Sequence, residues 1–204
     1  MGRGPVRAYP QRMRQRLVPL LAAVLLLGTA LAAPAEPVRY LLDAGASKVG
    51  FEVDFGPDRI KGTIPVQSAD VVIDFDDVNN SAVAVTLDTT RATAGFPFAT
   101  QAMRGPSVLD AAHYPTLSFR SGRVRADGFR ASIAGDITIR GETRPIVLDA
   151  QIYRQKGQEE GDRSRMSILL SGTIDRSAFG ATGWNDMVGN DVALDILVRV
   201  NRAP

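Results

Sequence analysis

Apolar and polar residues alternate with a period of two along most of the chain. Val49, Phe51, Val53 and Phe55 form the first such run, followed by Val71, Ile73 and Phe75 and by Val83, Val85 and Leu87. Leu117 and Phe119, Ile137 and Ile139, and Ile146, Leu148, Ala150 and Ile152 repeat the pattern. Met166, Ile168 and Leu170, then Val192, Leu194, Ile196, Val198 and Val200, complete it. Residues at i and i+2 share one side of a strand, so each run predicts a strand with a single buried face. Breakers stand between the runs at Gly56-Pro57, Asn79-Asn80, Ser121-Gly122, Asp127-Gly128, Gly141 and the polar stretch from Arg154 to Ser164. Eight or nine strands joined by short turns predict an all-β protein, an antiparallel barrel or sandwich.

One segment breaks the period. From Thr90 to Tyr114 the chain reads TRATAGFPFATQAMRGPSVLDAAHY, too long for a hairpin and without alternation. A connection of this length in a compact domain either carries function or lacks order. It holds Phe96, Phe98, Met103, Val108 and Leu109, which favours a lid packed on one end of the barrel. A short helix is predicted within it over PSVLDAAHY, with Pro106 in the first turn and Pro115 as the stop.

Charge changes the picture only after the first 32 residues are set aside. These hold five arginines and no acid, then the apolar run LVPLLAAVLLLGTALA from Leu17, which ends in the Ala30-Leu31-Ala32 pattern. Basic, apolar and small-residue sections in that order predict a secretory signal peptide over residues 1–32, cleaved near Ala33, and a periplasmic product. Five of the 24 basic residues belong to this leader, which leaves 19 against 22 acids and a mature charge near −3. A nucleic-acid partner, which requires a clustered basic face, is therefore disfavoured. The remaining chain forms one domain, over residues 37–203, and is long enough to bury a core without disulfides. It contains no cysteine.

Candidate chemistry is sparse. The single histidine, His113, lacks the partners a metal site or a general base requires, although Asp110 stands three residues before it. The acids of DFDDVNN, Asp74, Asp76 and Asp77, fail the EF-hand spacing and read as a polar strand end entering a turn. Neither a nucleophile elbow, nor a P-loop, nor a dinucleotide fingerprint occurs. An enzyme reading would have to assemble Arg176, Asn185 and Asp186 from RSAFGATGWNDMVGND at a barrel mouth; a closing loop with Trp184 packed across the opening is the simpler account.

Four ordered motifs point to a family. Tyr40 and Asp43 form a Tyr-x-x-Asp opening; Val108 to Asp110 with Tyr114, Pro115, Phe119 and Ser121 form the second block. Gly135, Ile137, Thr138, Gly141, Thr143, Arg144 and Pro145 form the third, and Arg176, Phe179 and Gly180 the fourth. Together they resemble the YceI-like family of lipid- or polyisoprenoid-binding periplasmic proteins. The resemblance implies a lipocalin-like antiparallel β-barrel of about eight strands, with one short helix in a long loop and an apolar cavity for an isoprenoid chain. His113 falls between the two parts of the second block, after Asp110 and before Tyr114, and is expected to have no role.

On that reading the expected function is a soluble periplasmic binder or carrier of a long-chain isoprenoid-type lipid, with no cofactor and no catalysis. The expected ligand-binding set comprises Phe51, Val53, Phe55, Phe96, Phe98, Met103, Leu109, Leu117, Phe119, Ile137, Ile139, Leu148, Ile168, Leu170, Phe179 and Trp184. Transient contact with a membrane or a membrane protein is a further expectation. The alternative is a filled-core periplasmic module that supports a membrane redox partner, since alternation alone does not separate a hollow eight-stranded barrel from a filled one.

Overall fold

The computed structural model describes Gly2, residues 36–155 and residues 157–204. The predicted leader, but for Gly2, lies outside the described residues. The eight alternating runs fall on eight of eleven strands among the described residues: β1 Val38–Leu42, β2 Lys48–Phe55, β3 Asp58–Thr63, β4 Val66–Ile73, β5 Ala82–Asp88 and β6 Thr93–Ala94. After one α-helix, α1 Pro97–Arg104, come β7 Thr116–Asp127, β8 Arg130–Ile139, β9 Glu142–Arg154, β10 Arg165–Asp175 and β11 Val188–Arg202.

All pairings are antiparallel. The strands β1, β4, β5, β7, β8, β9, β10 and β11 form a closed ring, because β11 pairs β10 on one edge and β1 on the other. This is the eight-stranded barrel that the sequence predicts. Closure removes the free edges of these eight strands, which an open all-β sheet of this size would expose.

The remaining three strands arise from a fork. The end of β11 pairs β1, with Val200 opposite Leu42, whereas its earlier part pairs β2, from Leu197 opposite Lys48 to Val188 opposite Phe55. β1 and β2 are thus successive segments along one partner, with Asp43 N–H donating to the Arg199 carbonyl at the break. A second break falls at Pro65, which has no N–H to give a ladder. Before it, β3 pairs β2 and β6; after it, β4 pairs β1 and β5.

The helix is a correction to the sequence reading. It forms over Pro97–Arg104, with Pro97 in the first turn, and stops at Gly105-Pro106. The predicted stretch from Pro106 to Tyr114 instead folds into turns, because Asp110 takes a left-handed conformation with φ 48° that an α-helix does not accommodate. His113 and Tyr114 N–H groups both donate back to the Asp110 carbonyl.

Packing divides the barrel lengthwise. At the end of β1, β4 and β11, Tyr40, Val71, Met166 and Val200 are buried together. The Tyr40 hydroxyl donates to the Arg163 carbonyl at 2.9 Å, and its ring meets Phe75 edge-on at 6.5 Å. This cluster plugs one end. A second cluster, with Leu87, Leu117, Ile133, Ile137 and Leu148 at its centre, lines the middle and leads towards α1.

Candidate functional site

The inward residues do not fill the barrel. They surround a cavity of about 300 Å³, the lower end of the roughly 300–1,000 Å³ typical of ligand sites. All sixteen residues named from the sequence line it: Phe51, Val53 and Phe55 on β2; Leu117 and Phe119 on β7; Ile137 and Ile139 on β8; Leu148 on β9; and Ile168 and Leu170 on β10. Phe98 and Met103 come from α1, Phe96 precedes it, Leu109 follows it, and Phe179 and Trp184 belong to the segment between β10 and β11. The wall also includes residues the sequence reading left out, chiefly Val83, Val85 and Leu87 on β5 and Val192, Leu194, Ile196 and Val198 on β11. Their own alternation was the signal for them.

Glycines let two aromatic rings lie flat against the wall. A Cβ on Gly135 would stand 2.8 Å from two carbons of the Phe119 ring, and one on Gly62 would collide with the Phe51 ring. Each glycine sits on a strand next to its ring's own, Gly62 opposite Phe51 and Gly135 opposite Ser121, the site of close approach that a strand glycine commonly marks. The rings cover backbone on one face and front the cavity on the other.

Arg176 is the one charged residue in the lining among the described residues, and sequence reasoning placed it in the fourth motif and in a hypothetical catalytic group, not in the cavity wall. It is buried, and its guanidinium donates to four backbone carbonyls: Gly189 through Nε at 2.8 Å, Ala181 and Gly183 through Nη1 at 2.6 and 2.7 Å, and Val188 through Nη2 at 2.8 Å. Val188 and Gly189 lie at a register shift of β11 against β2, where carbonyls leave the ladder and need donors. Burial draws this guanidinium below its ordinary value, with Asp175 opposing, but arginine remains a cation. Asn185 and Asp186 are exposed in the same loop and take none of these bonds. The structure therefore does not assemble the catalytic group.

The segment that Arg176 anchors forms one side of the cavity mouth, and α1 forms the other. Gly183 N–H donates to the Ser107 carbonyl at 2.8 Å and joins them. Arg140 holds the α1 side, donating through Nη1 to the carbonyls of Pro106 and Val108 at 2.7 and 2.9 Å. Between them the Phe98 and Trp184 rings meet edge-on at 5.6 Å, both exposed to solvent while lining the cavity.

The other candidates stay outside the cavity. His113 is exposed and its Nδ1 lies 2.9 Å from Asp110 Oδ1, a surface pair. Asp74 is buried at a turn, where Oδ1 accepts from the N–H groups of Asp76 and Asp77 and Oδ2 from Asn80 Nδ2. The Asp77 N–H and the Asn80 amide hold its carboxyl below the usual carboxylate range, and burial opposes them. DFDDVNN is thus the turn the sequence suggested, and no cluster of three or more metal-ligating side chains occurs among the described residues.

Comparison with known proteins gives a consistent picture. The sequence pattern of the YceI-like domain matches residues 40–200. An UPF0312 protein of Pectobacterium atrosepticum is 31% identical over 126 residues, 61% of this chain and 65% of that one. Protein YceI of Escherichia coli O157:H7 is 32% identical over 102 residues, 49% of this chain and 53% of its own length. The matched region thus spans between about half and two-thirds of these relatives. In structure, the chain is similar to Burkholderia cenocepacia BcnA, with a TM-score of 0.69 at 20% identity over 78% of this chain and 99% of that one. It is also similar to the Campylobacter jejuni YCEI protein, with a TM-score of 0.58 at 23% identity over 69% and 85% of the two chains. At these identities the structural likeness establishes a common barrel fold.

Proposed function

The chain belongs to the YceI-like family, and from that premise and the geometry of its barrel we propose that it is a periplasmic carrier of a long-chain isoprenoid-type lipid, held in the apolar interior. One observation supports this reading above the others. The cavity wall is apolar except for Arg176, whose four hydrogen bonds to carbonyls leave the loop well satisfied. A chain of hydrocarbon gains from such a wall, and a polar substrate finds few partners there.

Magnitudes agree with the proposal. At about 0.8 kcal/mol per buried carbon, three five-carbon units carry about 12 kcal/mol. Association costs begin at about 4 kcal/mol, which leaves about the 8 kcal/mol of micromolar binding. An open cavity also favours a carrier over a filled-core interaction module, which would pack these same side chains against one another. No step in such a function calls for a nucleophile, a metal or a cofactor.

Organic extraction and mass spectrometry of the purified protein test the proposal. A lipid with an isoprenoid chain is expected at close to one per protein. Protein purified from membrane-containing cells that never holds a lipid refutes it.

A further inference from the structure

Arg176 lines the cavity with only 6% of its surface exposed, so its charge is held away from water. A guanidinium has five N–H donors. The loop carbonyls take four of them: the single donor of Nε, both donors of Nη1 and one of the two on Nη2. One N–H of Nη2 is left over. Among the described residues no carboxylate stands within ion-pair distance of the group. Asp175, its neighbour in sequence, turns Oδ1 to the Ser177 N–H and hydroxyl at 2.8 and 2.6 Å instead. A buried cation with a spare donor and no counterion is costly unless something else supplies an acceptor.

The position of this group gives the cavity two unlike ends. Met166 belongs to the plug at the start of β10, and Arg176 follows the end of the same strand, about 30 Å further along the extended chain. Between them the inward residues Ile168, Leu170 and Ile174 are all apolar. From this we infer that Arg176 is the headgroup contact of the cavity: its remaining N–H and its charge bind an acceptor oxygen at the polar end of the isoprenoid, while the tail runs towards the plug. The inference rests on the lipid-carrier reading and adds the class of head to it. Arginine donates and never accepts, so carbonyl, ether, carboxylate and phosphate oxygens suit it and an ammonium does not.

The sign of the charge makes this testable with wild-type protein. Farnesoic acid and farnesylamine carry one farnesyl chain and, at neutral pH, opposite charges, so both give up hydration on entry and only the carboxylate gains Arg176. Delipidated protein is titrated with each, and binding is read from the emission of Trp184, the chain's single tryptophan and part of the cavity wall. The carboxylate is expected to bind at least about tenfold tighter, the fold-change of a hydrogen bond to a charged group worth about 1.5 kcal/mol. That preference should persist in high salt, which screens exposed charges far more than buried ones. Farnesyl methyl ether, an acceptor without charge, separates the two kinds of head: binding at or above the carboxylate assigns a neutral oxygen, and weaker binding assigns an anionic one.

Arg176→Met should bring the carboxylate and the amine to within about twofold of each other. If that variant does not fold, the wild-type comparison in high salt still decides the matter. Wild type that copurifies with an isoprenoid lipid but binds the two probes alike, or loses its preference in high salt, overturns the headgroup contact and leaves the carrier reading intact. A preference undiminished in folded Arg176→Met overturns it too, as does an extracted lipid with no oxygen at its end. Wild type that holds no lipid and binds none of the three probes overturns both readings.

Discussion

Phe119→Ala separates a cavity wall from a packed core. Phe119 is half-buried on β7, with one ring face over Gly135 and the other on the cavity. In a filled core the change costs about 3–5 kcal/mol, because the removed ring leaves a new void. Here the void already exists, so truncation enlarges it and the cavity penalty largely falls away. The transfer term remains, about 1.5–3 kcal/mol for a fully buried side chain. With contacts on roughly one face, about half of it applies, and delipidated protein should lose about 0.8–1.5 kcal/mol. The lipid complex loses the ring's contact as well, so lipid retention should fall about fivefold if that contact contributes about 1 kcal/mol. Urea unfolding of delipidated wild type and variant measures the first quantity, and competitive lipid release measures the second. A loss of 3 kcal/mol or more with unchanged retention would refute the assignment of Phe119 to the cavity wall.

Four further outcomes follow from the same geometry. Arg176→Met strands four carbonyls at about 1 kcal/mol or more each, so the urea midpoint should fall by the equivalent of roughly 4 kcal/mol; a loss below about 1 kcal/mol would show that the loop does not depend on the guanidinium. His113→Ala removes an exposed pair and should change stability by less than about 1 kcal/mol with lipid content intact, whereas lost lipid would give His113 a role. Asp74 holds its proton less readily when folded than when unfolded, so the stability it contributes is present above the unfolded carboxylate value of about 3.9 and is lost as pH falls through the lower folded value. Urea midpoints followed down to about pH 3 should therefore show a shallower acid decline in Asp74→Asn than in wild type, and equal slopes would remove Asp74 from the account. Finally, intact mass of the periplasmic fraction should give a mature chain beginning near Ala33, and a membrane-bound product with residues 1–32 retained would contradict the leader.

Alternation carried the strands and their inward faces because a sheet with one buried face obeys one local rule at every strand, in-facing residues apolar and out-facing residues polar, while the choice of a barrel over a sandwich came from the family resemblance. That rule names Phe119, Ile137 and Leu170 without reference to any partner strand. What it does not contain is pairing. The fork of β11 between β1 and β2 depends on where the chain breaks, at Asp43–Ser47 and at Pro65, and neither break announces which strands it will separate. The helix shows a different limit. Two prolines, Pro97 and Pro106, each open a stretch of helix-like composition, and the choice between them turned on the left-handed conformation of Asp110, a residue type that tolerates it without requiring it. Arg176 shows a third limit. In sequence it is a charge near an asparagine and an aspartate, which suggests chemistry, whereas in the fold it meets carbonyls released by the irregular start of β11. A buried cation satisfied by backbone is indistinguishable in sequence from a catalytic one, because its partners are atoms that every residue has. The hollow interior is legible to neither rule alone. Gly62 and Gly135 let two aromatic rings lie against the wall instead of across the lumen, and the pairing register is what sets each glycine beneath its ring.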